Sequence, residues 1–251
     1  RLVGSEMCIR DSSTGEILNQ ILAIPESARL TNIVFMGMGE PLDNYDNVLA
    51  VLEILTSPWG MAWSPTRITL STAGITPRLE QLIEATKVHI AVSLHNPFHD
   101  QRAEIMPVEK AYPIRELTDM LRRHDFSGQR RLSFEYILME GLNDTAAHIR
   151  ELRRLLNGLN CRINIIRFHR IPDSPYFSPP RQKMEAFRDR LTAGGIHTTI
   201  RASRGEDIQA ACGLLSTAEA MRRAEQQRRS QDHDTAEGDT HRPTTKQTTE
   251  R

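Results

Sequence analysis

Short apolar runs rich in β-branched residues alternate with amphipathic segments through the middle of the chain. The apolar runs predict six strands, over residues 31–37, 67–71, 88–94, 132–139, 161–168 and 196–201. Apolar positions at helical spacing predict five helices, over residues 45–57, 77–86, 114–123, 145–156 and 181–193. Asn44 and Asp144 stand where helix-capping residues are expected, and Gly194 and Gly195 follow the last helix.

The steady alternation of strand and helix predicts an α/β fold with a parallel sheet and right-handed crossovers. Two arrangements fit this pattern: an open or partial (β/α)6 TIM-like barrel, or a doubly wound sheet. The first strand is expected to be buried, because its run is continuously apolar. In both arrangements ligands bind at the carboxyl ends of the strands.

Polar and glycine-rich strings follow the predicted strands, where that rule places a site. In chain order they are GMGEP, STAG, SLHNP, EGLND, RFHRIP and SRGEDIQAACG. Residues needed only for folding would be scattered more evenly. We therefore expect one concave face of the sheet to be lined by Gly39, Glu40, Ser71, Ser93 and His95.

The two ends of the chain differ in composition from the middle. Residues 1–13, which begin RLVGSEMCIRDS, have no helical or strand periodicity and no apolar signal-peptide core, and are interpreted as a leader unlike native sequence. Residues 14–216 form the predicted core domain. Residues 217–251 contain no Leu, Ile, Val or Phe, which predicts a polar helix end and then a disordered tail.

Overall composition narrows the class of protein. The 32 Lys and Arg residues balance 32 Asp and Glu residues, so the chain lacks the global positive charge of many nucleic-acid binders. No apolar run is long enough to predict a membrane span. The three cysteines, Cys8, Cys161 and Cys212, are too few and too dispersed for a disulfide framework, which favours a reducing cytoplasmic compartment.

Each candidate site residue also has an ordinary structural explanation. Gly39 permits a positive φ and Glu40 offers a carboxylate for an ammonium group, but a turn before a helix explains the same string. Ser71 can bind a ribose or cap a strand end, and His95 is more often structural than catalytic. Cys212 is either a small buried hydrophobe or a reactive thiol in a glycine-flanked loop.

Several common catalytic motifs are missing from the sequence. There is no G-x-x-x-x-G-K-[ST] phosphate-binding loop, no G-x-S-x-G and no H-E-x-x-H. His95 has no cysteine or carboxylate at metal-ligand spacing, so no zinc site and no other metal ligand is predicted.

Five strings together carry a specific resemblance. NIVFMGMGEPLDNYDNV, RITLSTAGITP, IAVSLHNP, INIIRFHRIP and RASRGEDIQAACGLL occur in the order and spacing of the radical-SAM adenine-C2 methyltransferases, which act on 23S rRNA and tRNA. The resemblance extends over about residues 14–216. It implies a partial (β/α) barrel, S-adenosylmethionine, and a 4Fe-4S cluster held by three cysteines in C-x3-C-x2-C.

The resemblance also implies a mechanism and its residues. In that family one S-adenosylmethionine methylates a cysteine, and a second gives a deoxyadenosyl radical that activates this methyl group for addition to adenine carbon-2. Cofactor contacts are implied for Gly39, Glu40, Ser71, Ser93, Leu94, His95 and His169. Cys212 matches the methyl-carrying cysteine. His169 stands where many members have Asn, which is a departure from the family pattern.

The cluster motif C-x3-C-x2-C does not occur in the sequence. The resemblance places it just before SSTGEILNQ, at the position of the leader, so we expect a truncated form that cannot assemble the cluster as written. The implied partners are 23S rRNA, tRNA and an electron donor such as flavodoxin. A cytoplasmic monomer without membrane association is expected.

Two other functions remain open from the sequence. A related enzyme that methylates adenine at carbon-8 of rRNA, and so confers antibiotic resistance, shares the same strings. A catalytically inactive RNA-binding scaffold would keep the barrel without the cluster. An in-frame C-x3-C-x2-C upstream in the genomic DNA would favour an enzyme, and a native start codon near residue 1 would favour the scaffold.

Overall fold

The computed structural model describes residues 12–37, 39–126, 130–169 and 175–201. Within these ranges one parallel sheet has six strands in the order β1-β2-β3-β4-β5-β6. Their bounds are β1 Ile33–Phe35, β2 Ile68–Thr72, β3 His89–Ser93, β4 Leu132–Leu138, β5 Arg162–Arg167 and β6 His197–Ile200. Because each strand lies beside its neighbour in sequence, the order is that of a partial barrel, and the doubly wound alternative is excluded.

Helices flank the strands in the described part of the chain. They are α1 Thr14–Leu22, α2 Tyr45–Thr56, α3 Thr76–Ala85, α4 His99–Ile105, α5 Ile114–Leu121, α6 Ala146–Leu155 and α7 Arg181–Ala193. All six predicted strands and all five predicted helices are present, with ends within two residues of the prediction. Helices α1 and α4 are not predicted by the hydrophobic pattern of the sequence. The first of these begins with a capping box, in which the Ser13 hydroxyl accepts from the backbone N–H of Glu16 and the Glu16 carboxylate accepts from that of Ser13.

The two faces of the sheet differ in polarity because alternate strand residues point to opposite sides. One face is apolar and forms a single core with the inner faces of the helices; its fully buried strand residues include Leu70, Ile90, Val92, Phe134, Tyr136, Ile163 and Ile165. The Tyr136 ring stacks on Phe187 of α7 at 5.7 Å between centroids. The opposite face carries polar side chains, which include Thr69, Ser71, Ser93, Ser133, Glu135, Asn164 and Thr199.

The sheet curls toward its polar face. Val34 in the first strand and Thr199 in the last strand belong to the polar face. Met36 lies two residues after Val34, and Arg201 lies two residues after Thr199. The Arg201 Nη1 group nevertheless reaches Met36 Sδ at 3.7 Å. One side chain therefore joins the carboxyl ends of the two outermost described strands, and the polar face is the inside of a partial barrel.

The first strand is less buried than its sequence predicts. β1 has only three residues, and it pairs with β2 on one side within the described residues. Val34 leaves 55% of its surface exposed. The expectation that β1 is buried was therefore wrong. An apolar run in the sequence does not show whether a strand has neighbours on both sides.

Two predicted helix caps have other roles. Asn44 occupies the N-cap position of α2, but its side chain donates to the Ser12 carbonyl and accepts from Asn47 instead of capping the helix. Asp144 lies one residue before the N-cap of α6, which is Thr145. The Asp144 carboxylate accepts from the N–H of Gly141 and forms an ion pair with Lys183 of α7, at 2.6 Å. It therefore holds two elements together.

No helix in the described ranges is long and apolar enough to cross a membrane. The predicted polar tail, Cys212 and nearly all of the predicted leader lie outside the described residues.

Candidate functional site

Glu40 connects the segment after β1 to the end of β2. Its carboxylate accepts from the backbone N–H of Leu42 through Oε1, at 3.1 Å, and from that of Ala73 through Oε2, at 2.6 Å. Burial raises the pKa of the Glu40 carboxyl, and the two backbone hydrogen bonds act in the opposite direction. A carboxylate has about four acceptor positions, so Glu40 can still accept from a ligand donor.

The glycines near Glu40 set the course of the backbone. Gly39 has φ of 88°, in the left-handed region that favours glycine. Gly74 has φ of 111°, and a Cβ added there would lie 2.5 Å from Leu117 Cδ1. The Gly74 N–H donates to the Thr72 hydroxyl at 3.0 Å. Both turns therefore depend on residues without a side chain.

Ser71 and Ser93 lie on the polar face of neighbouring strands. Ser71 is in register with Ala91, two residues before Ser93, so both serines point to the same side of the sheet. Each side chain is partly buried. Both hydroxyls are thus placed inside the partial barrel.

Leu94 and His95 turn the chain from β3 onto β4. The backbone N–H groups of both residues donate to the Glu135 carbonyl, at 3.0 and 3.3 Å. His95 has φ of 54°, and its Nδ1 accepts from the N–H of Ile137 at 3.1 Å. Asn143 donates to the carbonyls of His95 and Ile137, at 2.7 Å each, and so fixes the turn.

The protonation state of His95 follows from these contacts. Burial, and to a smaller extent the charge of Arg102, lowers the pKa of His95 to about 4. The imidazole is therefore neutral near pH 7. Because Nδ1 accepts a hydrogen bond, the single ring proton resides on Nε2, which makes Nε2 a donor.

Arg102 of α4 organises the carboxyl ends of β2 and β3. Its guanidinium donates to the carbonyls of Ala73, Ser93 and Leu94, at 3.0, 2.8 and 3.0 Å, and pairs with Glu109. The Arg102 side chain is fully buried. It therefore joins the strand end that Glu40 contacts to the strand end that carries Ser93.

A polar row crosses the inner face of the sheet beside Ser93. Ser93, Glu135, Asn164 and Thr199 are in register on four consecutive strands. Asn164 donates to Glu135 Oε1 at 2.8 Å, and the Thr199 hydroxyl donates to Asn164 Oδ1 at 2.9 Å. Burial raises the pKa of the Glu135 carboxyl. This row extends the candidate site from β3 to β6.

The remaining predicted site residues are less well defined. His169 lies two residues beyond β5 and is partly buried. Cys212, the predicted methyl carrier, is outside the described residues. Cys161 packs against the core, and burial raises the pKa of its thiol to about 12, which agrees with its interpretation as a core residue.

The described residues do not fit an iron-sulfur cluster. No group of three or more His, Cys, Asp or Glu side chains within those ranges could hold a metal ion. The sequence has only three cysteines in all, at positions 8, 161 and 212. The cluster ligands implied by the resemblance are therefore not found in this structure, whereas the polar inner face suits an organic ligand.

Comparison with known proteins identifies the family. The sequence model of the Radical SAM superfamily matches residues 6–156. The chain belongs to the Radical SAM superfamily. The membership agrees with the parallel partial barrel and with a polar site at the carboxyl ends of its strands.

Curated relatives within the superfamily share one description. The chain is 55% identical over 217 residues to the "Probable dual-specificity RNA methyltransferase RlmN" of Parabacteroides distasonis, covering 86% of this chain and 63% of the relative. It is 57% identical over 208 residues to the protein of the same description from Porphyromonas gingivalis, covering 83% and 61%. The chain thus spans less than two thirds of these relatives, and the resemblance stated from the motifs is confirmed.

Solved structures agree on the fold. A radical SAM methyltransferase from Sphaerobacter thermophilus matches with a TM-score of 0.75 and 42% identity, covering 81% of this chain and 61% of that protein. A domain of a pyruvate-formate lyase-activating enzyme from Bacteroides vulgatus matches with a TM-score of 0.54 and 16% identity, covering 69% of this chain and all of that domain. The second likeness concerns the superfamily fold alone.

Three organising residues escaped the sequence analysis as site residues. Arg102 lies in a short polar helix that shows no apolar stripe. Asn143 belongs to the string EGLND after β4. Its hydrogen bond to His95 was not predictable from local sequence, because the two residues are 48 positions apart in the chain. Glu135 is a charged residue within the otherwise mostly apolar run LSFEYILM, and that signal could have placed it in the site.

Proposed function

We propose that this chain serves the S-adenosylmethionine-dependent methylation of adenine carbon-2 in 23S rRNA and tRNA. The proposal is supported by membership of the Radical SAM superfamily and by relatives described as dual-specificity RNA methyltransferases. S-adenosylmethionine supplies the methyl group. The structural observation that carries the proposal is the placement of Glu40, a partly buried carboxylate with spare acceptor capacity at the carboxyl end of a parallel sheet.

In this proposal Glu40 binds the ammonium group of the methionine part. The carboxylate is already oriented by the N–H groups of Leu42 and Ala73, so little side-chain freedom is lost when the ligand binds. Gly39 lets the backbone approach the ligand closely, since it has no side chain and adopts a positive φ.

Residues on β2 and β3 and just beyond β3 and β5 complete the proposed cofactor site. The hydroxyls of Ser71 and Ser93 face the inside of the barrel and can hydrogen-bond the cofactor. The turn at Leu94 and His95 presents backbone groups and a neutral imidazole that can donate through Nε2. His169, just beyond β5, is assigned a cofactor contact by the resemblance.

Cys212 is the proposed methyl carrier. Its thiolate would attack the methyl carbon of S-adenosylmethionine, forming an S–CH3 bond while the bond to the sulfonium breaks and S-adenosylhomocysteine leaves. The thiol proton passes to solvent. The proposed partners are 23S rRNA, tRNA and an electron donor such as flavodoxin, and the proposed setting is a cytoplasmic monomer.

Ligand binding tests the role of Glu40. Titration calorimetry of the chain with S-adenosylmethionine should give a dissociation constant that rises more than tenfold in Glu40→Gln, because a charge pair in a partly buried site is worth about 2–5 kcal/mol when one partner is removed. Glu53→Gln, at an exposed position on α2, is the matched control. Equal affinity in the wild type and Glu40→Gln would remove Glu40 from the site.

A chimera tests the reaction itself. Residues 14–216 of this chain would replace the matching part of the Parabacteroides distasonis relative. The relative then supplies the rest of the sequence. The chimera should methylate adenine at carbon-2 in 23S rRNA and tRNA fragments, as read by mass spectrometry of the nucleosides. Product at carbon-8 would instead support the resistance enzyme, and absence of product in a folded chimera would support the scaffold.

The same chimera tests Cys212. With methyl-labelled S-adenosylmethionine, the label should appear on the peptide that contains Cys212, and Cys212→Ala should abolish turnover while folding persists. An active chimera that never carries the label on this peptide would overturn the assignment of Cys212 as the methyl carrier.

A further inference from the structure

Basic residues gather at the amino ends of β3, β4 and β5, at the opposite end of the sheet from the candidate site. His89 is the first residue of β3, Arg162 is the first residue of β5, and Arg130 and Arg131 directly precede β4. The Arg131 N–H donates to His89 Nδ1 at 2.8 Å, and the Arg131 carbonyl accepts from Ile90 at 2.9 Å. We refer to His89, Arg130, Arg131 and Arg162 as the amino-end cluster.

Three members of the amino-end cluster lie on the inner face of the sheet. His89 lies four residues before Ser93, about 13 Å along β3, and an even spacing keeps both side chains on one face. Arg131 lies two residues before Ser133, which is in register with Arg162. Arg131 is exposed and Arg162 is partly buried. A ligand can therefore reach this end of the inner face from solvent, away from the proposed cofactor contacts.

The positive charges of the amino-end cluster are close to one another. Burial lowers the pKa of His89, and the charges of Arg131, Arg162 and Arg130 lower it further. Burial also lowers the pKa of Arg162, and the charge of Arg131 acts in the same direction. Three guanidinium groups thus act on one imidazole, which is neutral near pH 7.

These three guanidinium groups lack an anionic partner in the described part of the chain. Arg130, Arg131 and Arg162 form no ion pair with any described Asp or Glu. Arg130 is only 8% exposed, and its Nε and Nη2 donors are buried without a hydrogen-bond partner among the described residues. A buried donor left unpaired is costly, so an acceptor from a ligand is expected here.

Stabilisation of helix ends explains another arginine at this end of the sheet, but not the cluster. The last carbonyls of a helix carry a partial negative charge and attract cations. Arg122 meets this need, because its guanidinium donates to the carbonyls of Leu155 and Asn157 at the end of α6. No comparable hydrogen bond joins the side chain of Arg131 or Arg162 to a carbonyl of the described ranges. A ligand therefore explains the cluster better than helix capping does.

We infer that the amino-end cluster binds a phosphate group through Arg130, Arg131 and Arg162. A guanidinium group presents paired N–H donors that match two phosphate oxygens. A phosphate that carries about two negative charges also balances several guanidinium groups better than a single carboxylate does. The phosphate belongs either to a small free anion or to an RNA backbone, and both present the same kind of acceptor. The inference does not depend on the proposed function.

Pyrophosphate is the probe that tests the site directly. Calorimetric titration of the full chain at low ionic strength should show binding by the wild type. Arg131→Gln and Arg162→Gln should each weaken this binding by about tenfold, because each removes a charge-assisted hydrogen bond. Arg181→Gln removes an exposed charge at the start of α7 and is the matched control, with the affinity of the wild type expected.

Arg130→Met separates a ligand contact from a purely structural role. Pyrophosphate should raise the unfolding temperature of the wild type, because it binds the folded state, and should raise that of Arg130→Met much less. An equal rise in the two proteins would remove Arg130 from the site and would overturn the inference as stated. If Arg130→Met fails to fold, Arg131→Gln still tests the site, because Arg131 is exposed and its replacement leaves the core intact.

A single-stranded RNA oligonucleotide distinguishes the two sources of phosphate. If the phosphate belongs to an RNA backbone, fluorescence anisotropy should show weaker RNA binding by Arg131→Gln and displacement of the RNA by pyrophosphate. RNA binding that is unchanged in Arg131→Gln, together with weaker pyrophosphate binding, would assign the site to a free anion. Both results support a phosphate site.

Two results would overturn the inference. One is the absence of pyrophosphate binding by the wild type, and the other is equal pyrophosphate affinity in the wild type, Arg131→Gln and Arg162→Gln. Neither result bears on the binding of S-adenosylmethionine at Glu40, which lies beyond the carboxyl end of β1. Failure of this inference is therefore distinguishable from failure of the proposed function.

Discussion

The guanidinium of Arg102 and the carboxylate of Glu109 form an ion pair beneath the carboxyl ends of β2 and β3, with both side chains at most 1% exposed. Glu109 also accepts from the backbone N–H of Ile114 and contacts His99 Nδ1 at 2.8 Å. Arg102 in turn satisfies three carbonyls at the strand ends. The pair therefore links two helices to the edge of the sheet that carries the candidate site.

Removing Arg102 should strongly destabilise the fold. Arg102→Met leaves the Glu109 charge and three carbonyls buried without their main partner, which typically costs about 3–5 kcal/mol. Urea unfolding of the wild type and the variant measures the difference in free energy. Arg154→Met removes an exposed partner of Glu151 on α6 and should cost less than about 1 kcal/mol. Equal effects of the two substitutions would contradict the organising role of Arg102.

The double variant tests the pairing itself. Arg102→Met together with Glu109→Gln should cost less than the sum of the two single substitutions, because the second change removes the charge that the first leaves unpaired. A strictly additive result would mean that each residue acts through its other hydrogen bonds and not through the ion pair.

Arg102 also shows where prediction from sequence ends. The strands and the five longer helices follow from local periodicity, and their ends were predicted within two residues. Helix α4, His99–Ile105, has a mostly polar sequence. The Arg102 side chain in this helix can be buried because it pairs with Glu109, which lies in the short helical turn that follows α4. A pattern based on hydrophobic spacing cannot show that a charged residue is paired inside the protein.

The position of the candidate residues on the sheet was predictable, but their contacts with one another were not. The rule for parallel sheets predicts Glu40, Ser71, Ser93 and His95 near the carboxyl ends of the strands, where the structure has them, because the rule depends only on strand order. Their ligand contacts stay predictions. The hydrogen bonds of Glu135 and Asn164 depend on the register between strands far apart in sequence, which local patterns do not specify.

His95 should make stability sensitive to acid. The pKa of His95 is lowered in the folded protein to about 4 from an ordinary value of 6.5, so the unfolded chain takes up a proton first as the pH falls. Stability from this residue is complete above about pH 6.5 and is lost as the pH decreases toward 4. His95→Asn, which tolerates a positive φ, should show a smaller loss of unfolding free energy between pH 7 and pH 4.5. A loss as large as in the wild type would assign the effect to other groups.

Two glycine substitutions should act in opposite directions. Gly74→Ala forces a side chain onto a residue with φ of 111° and within 2.5 Å of Leu117 Cδ1, so it should destabilise by about 2 kcal/mol or more. Gly15 lies inside α1, and an added Cβ meets nothing within 4 Å. Gly15→Ala should therefore stabilise by about 0.5–1 kcal/mol. Chemical denaturation measures both, and stabilisation by Gly74→Ala would contradict the described turn.

Cys161 should be chemically inert while the protein is folded. Burial raises the pKa of its thiol to about 12, so at pH 8 the reactive thiolate is less populated by a factor on the order of a thousand than in an ordinary cysteine. Brief treatment with iodoacetamide, followed by peptide mass spectrometry, should leave Cys161 unmodified in the folded chain and modify it fully in urea. The peptide with Cys161 is compared with itself in the two states, which removes differences in detection between peptides. Rapid modification in the folded state would mean that the Cys161 thiol is accessible just before β5, which would contradict its packing against the core.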